Sequence, residues 1–244
     1  MLFSVVIPMY NEREVIEACA KELTRVLEAS AESGNYRYEI LFSDDGSTDG
    51  CGEIVQQYAG EHPLSFGEIR VLRSDVNRGK GAAVRNGMLG SRGDWALFTD
   101  SDLAYGAEII PEMLVHITKS GADLCIGSRT IAEDGYEGYT AMRKLASRTY
   151  LKLVSLAAGF DHTDSQCGIK LFRGSAARQI FSACETDGWA FDLEVLLRAE
   201  NLGFTIEEYP VKVINHRESK VHLFSDSLNM VGQVVHIRKI VGKK

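Results

Sequence analysis

The chain has 244 residues, of which 45% are hydrophobic and 25% charged, as in an ordinary soluble globular protein and unlike a disordered one. At ~150 residues per domain, this length fits one large domain or two small ones. Lysine and arginine (27) are outnumbered by aspartate and glutamate (34), and the charge of −7 argues against a protein whose main partner is nucleic acid.

The cysteine pattern favours a reducing, cytoplasmic location. The five cysteines are odd in number and scattered, and they never form CxxC, so neither a disulfide framework nor a zinc site is indicated. The apolar start of the chain is too short for a signal peptide and has no basic residues before it. No run approaches the ~18 apolar residues of a membrane span, so any membrane contact is expected to be peripheral.

The first half of the chain alternates between short apolar runs and longer stretches with apolar residues at helical spacing. The runs predict strands buried on both faces, at 3–8, 38–43, 69–73, 95–99 and 122–127. The stretches predict helices at 12–32, 49–59, 80–91 and 109–119. This alternation is typical of an α/β fold in which helices flank an open, mainly parallel, twisted sheet.

Beyond about residue 130 the pattern is less regular. It predicts further helices at 140–158, 175–184, 192–202 and from about 225. It also predicts two strands, at 169–172 and 205–214. Because there is no repeat, low-complexity tract or linker, the second half is expected to extend the same domain.

Each predicted strand of the first half ends in polar residues. These follow the five strands in order as PMYNE (8–12), SDDGSTD (43–49), NRGKG (77–81), DSD (100–102) and GSR (127–129). Ligands of open α/β sheets bind beyond the carboxyl ends of the strands. Five such ends on one rim therefore indicate a binding site.

The residue types on this rim favour a nucleoside diphosphate. Asp100 and Asp102 can both reach a hard divalent cation that bridges phosphate oxygens, although a simple Asp-Ser-Asp turn would also explain them. Lys80, at a glycine-flanked helix start, has the charge and position to meet a phosphate, with a solvated surface lysine as the alternative.

The acidic run after the second strand is expected to divide two roles among its members. Asp45 can hydrogen-bond a base or a ribose, whereas Asp44 and Asp49 can cap the following helix.

These motifs resemble the family-2 glycosyltransferases of the GT-A fold. Many sugar-nucleotide transferases share the first-half motifs VVIPMYNE, SDDGSTD, NRGKGAAVRNG, DSD and GSR. The later motifs DSQCGIKLF, GWAFDLEVL and ESK are most similar to those of dolichyl-phosphate glucose and mannose synthases and their bacterial polyprenyl-phosphate relatives. The resemblance extends from about residue 3 to residue 222.

The resemblance implies a single GT-A domain at 1–222, with a nucleotide-sugar half (1–128) and an acceptor half (129–222). With Asp44 and Lys80 from the strand-end pattern, the residues predicted to bind the nucleotide sugar are Pro8, Tyr10, Glu12, Asp44, Asp45, Lys80, Asp100 and Arg217. Those that the resemblance implies for catalysis are Asp102, Arg129, Arg143 and Lys220, the arginines meeting the acceptor phosphate and the basic loop closing over the diphosphate. Asp100 and Asp102 would hold Mg²⁺ or Mn²⁺.

One position departs from the family pattern. The family often has an oxygen donor two residues after the DxD, where this chain has Ala104. Either water completes the metal shell, or metal dependence is weakened.

The implied reaction is transfer of a hexose, with inversion, from a nucleotide sugar to a dolichyl or undecaprenyl phosphate. UDP-glucose is the preferred donor and GDP-mannose the alternative. The same fold acting on a soluble glycan or metabolite stays open, as do a nucleotidyltransferase and a non-catalytic binder. The chain after strand one lacks the glycine-rich basic loop of nucleotidyltransferases, and an intact DxD disfavours the binder.

The end of the chain, 223–244, is predicted to be an amphipathic helix with a basic terminus. Its apolar face can lie in a membrane interface, or it can pack on the protein's own core or on a membrane-protein partner. The segment 145–160 has the same alternatives.

Overall fold

The computed structural model describes residues 1–136, 159, 162–215 and 236–242. The strands in these ranges are β1 (Leu2–Met9), β2 (Arg37–Asp44), β3 (Gly67–Arg73), β4 (Trp95–Phe98), β5 (Leu124–Ser128), β6 (Lys170–Arg173) and β7 (Ile206–Pro210). The helices are α1 (Ile16–Gly34), α2 (Cys51–Glu61), α3 (Lys80–Gly90), α4 (Ile109–Ser120), α5 (Gly174–Ala183) and α6 (Phe191–Asn201). The strands form one sheet in the order β3-β2-β1-β4-β6-β5-β7.

The sheet is parallel except for β6, which lies antiparallel between β4 and β5. The predicted open, mainly parallel α/β architecture is thereby confirmed. A parallel strand in this position would need a crossover connection that returns the chain to the amino ends of the strands. Because β6 is antiparallel, its first residue and the turn before it lie on the rim where the other strands end.

Helices cover both faces of the sheet. Side chains alternate along β1, so Val5 and Ile7 enter a core with α1, α2 and α4, whereas Val6 enters a second core with α3, α5 and α6. All three side chains are fully buried. The two cores fix the sheet on both faces. The loops that follow the strands at the carboxyl rim are anchored to this sheet.

The predicted C-terminal helix is described only at 236–241, where the chain is helical. Ile237 is 1% exposed and packs with Leu193 and Leu196 of α6. Val241 packs against the same cluster, and its carbonyl accepts a hydrogen bond of 3.3 Å from Asn201 Nδ2. This part of the helix therefore packs on the protein's own core. The rest of 223–244, and the segment 145–160 apart from Gly159, lie outside the described residues. In the described ranges no helix is long and apolar enough to cross a membrane.

A buried carboxylate cross-links the sheet near the amino ends of β1 and β2. Glu39, fully buried in β2, accepts hydrogen bonds from Ser4 Oγ (2.6 Å), the Arg92 amide (2.7 Å) and Arg70 Nη1 (2.8 Å). Removing one partner of a buried ion pair leaves the other charge uncompensated.

We therefore expect Glu39→Gln to lower the free energy of unfolding by about 3 kcal/mol. Glu68→Gln is the matched control, because Glu68 pairs with Arg92 on the surface, where both side chains are more than half exposed. Its effect should stay within about 1 kcal/mol. Urea unfolding of both variants measures the difference, and equal losses would contradict it.

Candidate active site

The loops that follow β1 and β2 are tied to each other at the carboxyl rim. The Asn11 amide donates to Ser47 Oγ (3.0 Å), and Asn11 Oδ1 accepts from the Thr48 amide (2.9 Å). Asn11 has φ 52°, in the left-handed region that asparagine tolerates better than most residues. The predicted convergence of these two strand ends is thus present in the fold.

In the acidic run after β2, Asp49 binds the start of α2 as predicted, whereas Asp44 binds the loop before that helix. Asp44, 1% exposed, accepts the Ser47 amide at 2.8 Å, and Asp49 Oδ1 accepts the Cys51 amide at the start of α2 (3.0 Å). Both therefore stabilise local backbone. Asp44 and Asp45 each also have a buried oxygen without a hydrogen bond in the described part of the chain, and Asp44 Oδ2 lies 3.6 Å from Arg73 Nε.

Asp45 reaches across to the loop after β3. Its Oδ2 accepts the amides of Arg78 (3.0 Å) and Gly79 (2.6 Å). Its Oδ1 is buried and has no hydrogen-bond partner in the described part of the chain. Burial raises the pKa of Asp45, while the two amides oppose the rise. An unsatisfied buried acceptor is costly, so this atom suits a donor group of a ligand.

The remaining nucleoside candidates lie on or directly after β1. Pro8 is buried within the strand, beside Ser43 of β2, and Tyr10 is 43% exposed just beyond it. Glu12 is half-buried, and its carbonyl accepts the amides of Val15 and Ile16 at 3.0 Å. This turn leads into α1, which begins at residue 16 and not at the predicted residue 12.

The DxD follows β4 directly. Asp102 Oδ1 accepts the Ala104 amide (3.1 Å), and Leu103 between them has φ 46°. Asp100 lies 33% exposed with its Oδ1 2.6 Å from Lys80 Nζ. No group of three or more metal-ligating side chains occurs among the described residues. Two carboxylates still fit Mg²⁺ or Mn²⁺ as protein ligands, because such ions keep several waters and bind substrate phosphates.

The backbone carbonyl of Ala104 binds the segment that follows β7. This carbonyl accepts the amides of Ile214 (2.8 Å) and Asn215 (3.2 Å). Asn215 Nδ2 also donates to the carbonyls of Asp102 (3.3 Å) and Leu103 (3.0 Å). The chain after β7 is thereby held beside the DxD.

Lys80 begins α3, and the two amides that follow it are already paired. The amides of Gly81 (2.8 Å) and Ala82 (3.2 Å) donate to the Asp187 carbonyl. A phosphate here would therefore depend on the Lys80 ammonium rather than on the helix N-terminus. The ammonium also lies 5.0 Å from the ring centre of Trp189, which is 56% exposed.

Arg129, after β5, is clamped by a carboxylate of the DSQCG turn. Its Nε (2.6 Å) and Nη2 (2.8 Å) donate to the two oxygens of Asp164, and its amide adds a third bond at 3.0 Å. Asp164 is fully buried. Such a bidentate pair fixes the guanidinium plane and leaves its remaining N–H groups for an anion.

The same turn also touches the DxD. A Cβ on Gly168 would lie 2.5 Å from Asp100 Oδ2 and 3.9 Å from Tyr105 Cε2. The Gly168 amide donates to the Tyr105 hydroxyl at 3.2 Å. The DSQCG turn therefore links Arg129, which follows β5, to Asp100, which follows β4.

Sequence reasoning missed two buried ionisable groups beside this turn. Lys170, fully buried at the start of β6, donates to the Cys167 carbonyl (2.6 Å) and to Asp192 Oδ1 (2.5 Å). Burial raises the pKa of Asp192, and the ammonium groups of Lys170 and Lys80 oppose that rise. The motif GWAFDLEVL contains Asp192, but the motif alone does not say what faces it.

The loop at 185–189 was missed as well. Glu194, fully buried in α6, accepts the amides of Glu185 (3.0 Å) and Thr186 (2.7 Å). The Asp187 carboxylate in turn binds the guanidinium groups of Arg78 and Arg85. Glu194 is therefore a positioning residue for the loop that holds the start of α3.

Three of the predicted site residues, Arg143, Arg217 and Lys220, lie outside the described residues. The others occupy one rim of the sheet. On this rim Lys80 lies beside Asp100, and Arg129, after β5, lies beside Asp164.

Comparison with known proteins decides the family. The profile described as "Glycosyl transferase family 2" matches residues 4–181. The chain belongs to this family. As a member it is a glycosyltransferase, and the resemblance expected from its motifs is confirmed.

Its relatives include enzymes named dolichyl-phosphate beta-glucosyltransferase. The one from Dictyostelium discoideum is 33% identical over 241 residues, covering 96% of this chain and 73% of the relative. The one from Saccharomyces cerevisiae is 34% identical over 251 residues, covering 98% and 74%.

Solved structures with the same fold are more distant in sequence. Glucosyl-3-phosphoglycerate synthase from Mycobacterium tuberculosis, crystallised with Mn²⁺, UDP and phosphoglyceric acid, matches with a TM-score of 0.67 and 21% identity over 99% of this chain and 79% of that one. A mannosyltransferase from Pyrobaculum calidifontis, in complex with GDP-Man and Mn²⁺, gives 0.65 and 17% over 99% and 65%. At these identities the likeness shows the GT-A fold.

The contact between Gly168 and Asp100 gives a direct test of the site. In Gly168→Ala the new methyl group displaces the Asp100 carboxylate, so we expect UDP in the presence of Mn²⁺ to bind about tenfold more weakly, a loss of ~1.4 kcal/mol. Because the displaced atom is at the end of a side chain, the thermal midpoint should change little. Isothermal titration measures the affinity.

Gly60→Ala in α2 is the control for this experiment. A Cβ there meets nothing within 4 Å, so nucleotide binding should equal that of the unmodified enzyme. Unchanged affinity in Gly168→Ala would show that the Asp100 position does not matter for binding.

Proposed function

We propose that this enzyme transfers glucose from UDP-glucose to a polyprenyl phosphate such as dolichyl phosphate, with inversion at the anomeric carbon. The relatives named dolichyl-phosphate beta-glucosyltransferase, which match nearly the whole chain, support the substrates. One structural observation carries the acceptor assignment. The DSQCG turn holds Arg129 by its Asp164 and touches Asp100 by its Gly168, so one short turn contacts both the guanidinium after β5 and the carboxylate after β4.

The donor half has groups suited to each part of a nucleotide sugar. Asp45 offers its unsatisfied oxygen to an N–H or O–H of the nucleoside, with Tyr10 exposed nearby. Asp100 and Asp102 would hold Mg²⁺ or Mn²⁺, which when bound supplies positive charge for the departing diphosphate. Lys80 contributes a further positive charge.

The acceptor half needs positive charge more than it needs a base. A phosphate monoester is already an anion near neutral pH, so its oxygen can attack without a strong general base. Arg129 can orient it and offset its repulsion from the donor diphosphate. We propose the same role for Arg143, and closure over the diphosphate for Arg217 and Lys220.

The described side chains nearest the reaction are poor candidates for other mechanisms. Asp192 is engaged by Lys170, which limits its use as a base. Burial raises the pKa of the Cys167 thiol to about 11, which disfavours a thiolate nucleophile at neutral pH. Both observations support a single displacement in which the acceptor phosphate attacks directly.

The acceptor resides in a bilayer, so the enzyme must reach a membrane surface. We propose peripheral contact at the cytoplasmic face, or a membrane-protein partner. The described end of the C-terminal helix exposes Arg238 and Lys239 to solvent while Ile237 faces the core. Exposed basic side chains of this kind are attracted to anionic lipid.

A two-donor transfer assay tests the proposed reaction. With labelled UDP-glucose or GDP-mannose, Mn²⁺ and a short polyprenyl phosphate, we expect organic-extractable label from UDP-glucose. Asp102→Asn should lower kcat at least about 100-fold, because charge on the leaving diphosphate is no longer stabilised. Glu17→Gln, an exposed carboxylate change on α1, is the matched control and should retain full activity.

The other outcomes of this assay each correct a part of the proposal. Label carried over from GDP-mannose would make the enzyme a mannosyltransferase. Bound donor without extractable label would argue for a soluble acceptor, and a retained anomeric configuration would argue against single displacement.

The pH dependence separates the acceptor phosphate from Asp192. The second pKa of a phosphate monoester is about 6, so kcat/KM for the acceptor should fall as pH drops below that value, because the monoanion is a weaker nucleophile. This acid limb belongs to the substrate and should have the same midpoint in Asp192→Asn. If the limb disappears in the variant while its thermal midpoint is retained, Asp192 is acting as the base.

A further inference from the structure

Lys80 is confined in an acidic environment on the donor side of the site. Its ammonium lies 2.6 Å from Asp100 Oδ1 and 5.0 Å from the ring centre of Trp189, and the side chain as a whole is 16% exposed. Lys80 is therefore held against a carboxylate as its counter-ion.

We propose that Lys80 acts as the built-in counter-ion of Asp100 when no donor is bound, and exchanges that carboxylate for the donor's diphosphate when a divalent cation binds. The proposal rests on the proposed nucleotide-sugar function. It adds that metal and nucleotide binding are coupled through one side chain of this chain.

The exchange follows from competition for one oxygen. An ion such as Mg²⁺ that took Asp100 as a ligand would bind one of its carboxylate oxygens directly, at about 2.0–2.1 Å. The ammonium already occupies Oδ1 at 2.6 Å, and two cations at one carboxylate repel strongly. Lys80 therefore weakens metal binding as long as it has no other anionic partner.

A nucleoside diphosphate provides that partner. The amides of Gly81 and Ala82 in the first turn of α3 are taken by the Asp187 carbonyl, and the Lys80 ammonium is the charged group in this turn that can turn to a phosphate. Its four-carbon stem allows the movement, and its donors suit phosphate oxygens. Once Lys80 has moved, both oxygens of Asp100 are available, so the nucleotide promotes metal binding and, by reciprocity, the metal promotes nucleotide binding.

The surroundings of Lys80 favour a movement of this side chain alone. Glu194 and the pairs of Asp187 with Arg78 and Arg85 fix the loop that carries Trp189. Gly81 lies against the Thr186 carbonyl and Phe191, so the start of α3 has no room to shift. The exchange is therefore a change of side-chain partner on a rigid frame.

The test is a titration of the full chain with Mn²⁺, with and without saturating UDP. The electron paramagnetic resonance signal of unbound Mn²⁺ measures how much of the ion has bound. In the unmodified enzyme UDP should tighten Mn²⁺ binding at least tenfold. Without UDP, Lys80→Gln should bind Mn²⁺ about tenfold more tightly than the unmodified enzyme. Adding UDP should then tighten Mn²⁺ binding by a much smaller factor than in the unmodified enzyme. Lys80→Arg keeps the charge and should stay weak without UDP.

Lys119→Gln, an exposed lysine change on α4, is the matched control and should behave as the unmodified enzyme. Circular dichroism checks that each variant is folded, and Lys80→Arg retains a partner for Asp100. Equal Mn²⁺ affinity of Lys80→Gln and the unmodified enzyme without UDP would overturn the proposal, as would undiminished coupling to UDP. Neither sugar nor acceptor is present, so these results are independent of whether glucose reaches a polyprenyl phosphate.

Discussion

The site depends on the direction in which β6 enters the sheet. Because β6 is antiparallel between two parallel strands, it begins on the rim where its neighbours end. Lys170 and the turn at 164–168 are thereby brought to the DxD. Were this strand parallel, its amino end would lie at the opposite edge, and neither the Arg129 clamp nor the Lys170–Asp192 pair could form.

The second constraint is the cost of burying charge. Among the described residues, three buried or half-buried cations on the rim are each matched by a carboxylate: Lys80 by Asp100, Lys170 by Asp192, and Arg129 by Asp164. An unpaired charge in such surroundings would be strongly destabilising. These pairs are not equivalent in exposure, since Lys170 and Asp192 are almost completely buried, whereas Asp100 is 33% exposed. The pairs that solvent and ligands can reach are those in which a partner can be exchanged.

The loop at 185–189 shows how a rigid second layer supports the rim. Glu194 accepts hydrogen bonds from two amides of this loop. The carbonyl of Asp187 in the loop caps α3, and the Asp187 carboxylate pairs with two arginines. One short loop thus fixes the start of α3 and, with it, the backbone position of Lys80. Functional side chains need this kind of support, because a small displacement of a charged group greatly changes its interaction with a phosphate.

Much of this protein can be read from the order of its residues alone. Continuous apolar runs predict the parallel strands because such strands are buried on both faces, and the polar residues after each run mark the rim. The motifs identify the family, the DxD and Arg129. Asp45 is also recognisable, since it directly follows a strand.

Only the tertiary structure decided how these groups are paired. Arg129 and Asp164 are 35 residues apart, Lys170 and Asp192 are 22 apart, and Arg85 and Asp187 are 102 apart. Hydrophobic periodicity reports which face of an element is buried, and it contains no information about which distant side chain lies opposite. The direction of β6, the capping of α3 by Asp187 and the packing of Ile237 on α6 depend on how the chain returns to the sheet, and long-range contacts determine that return.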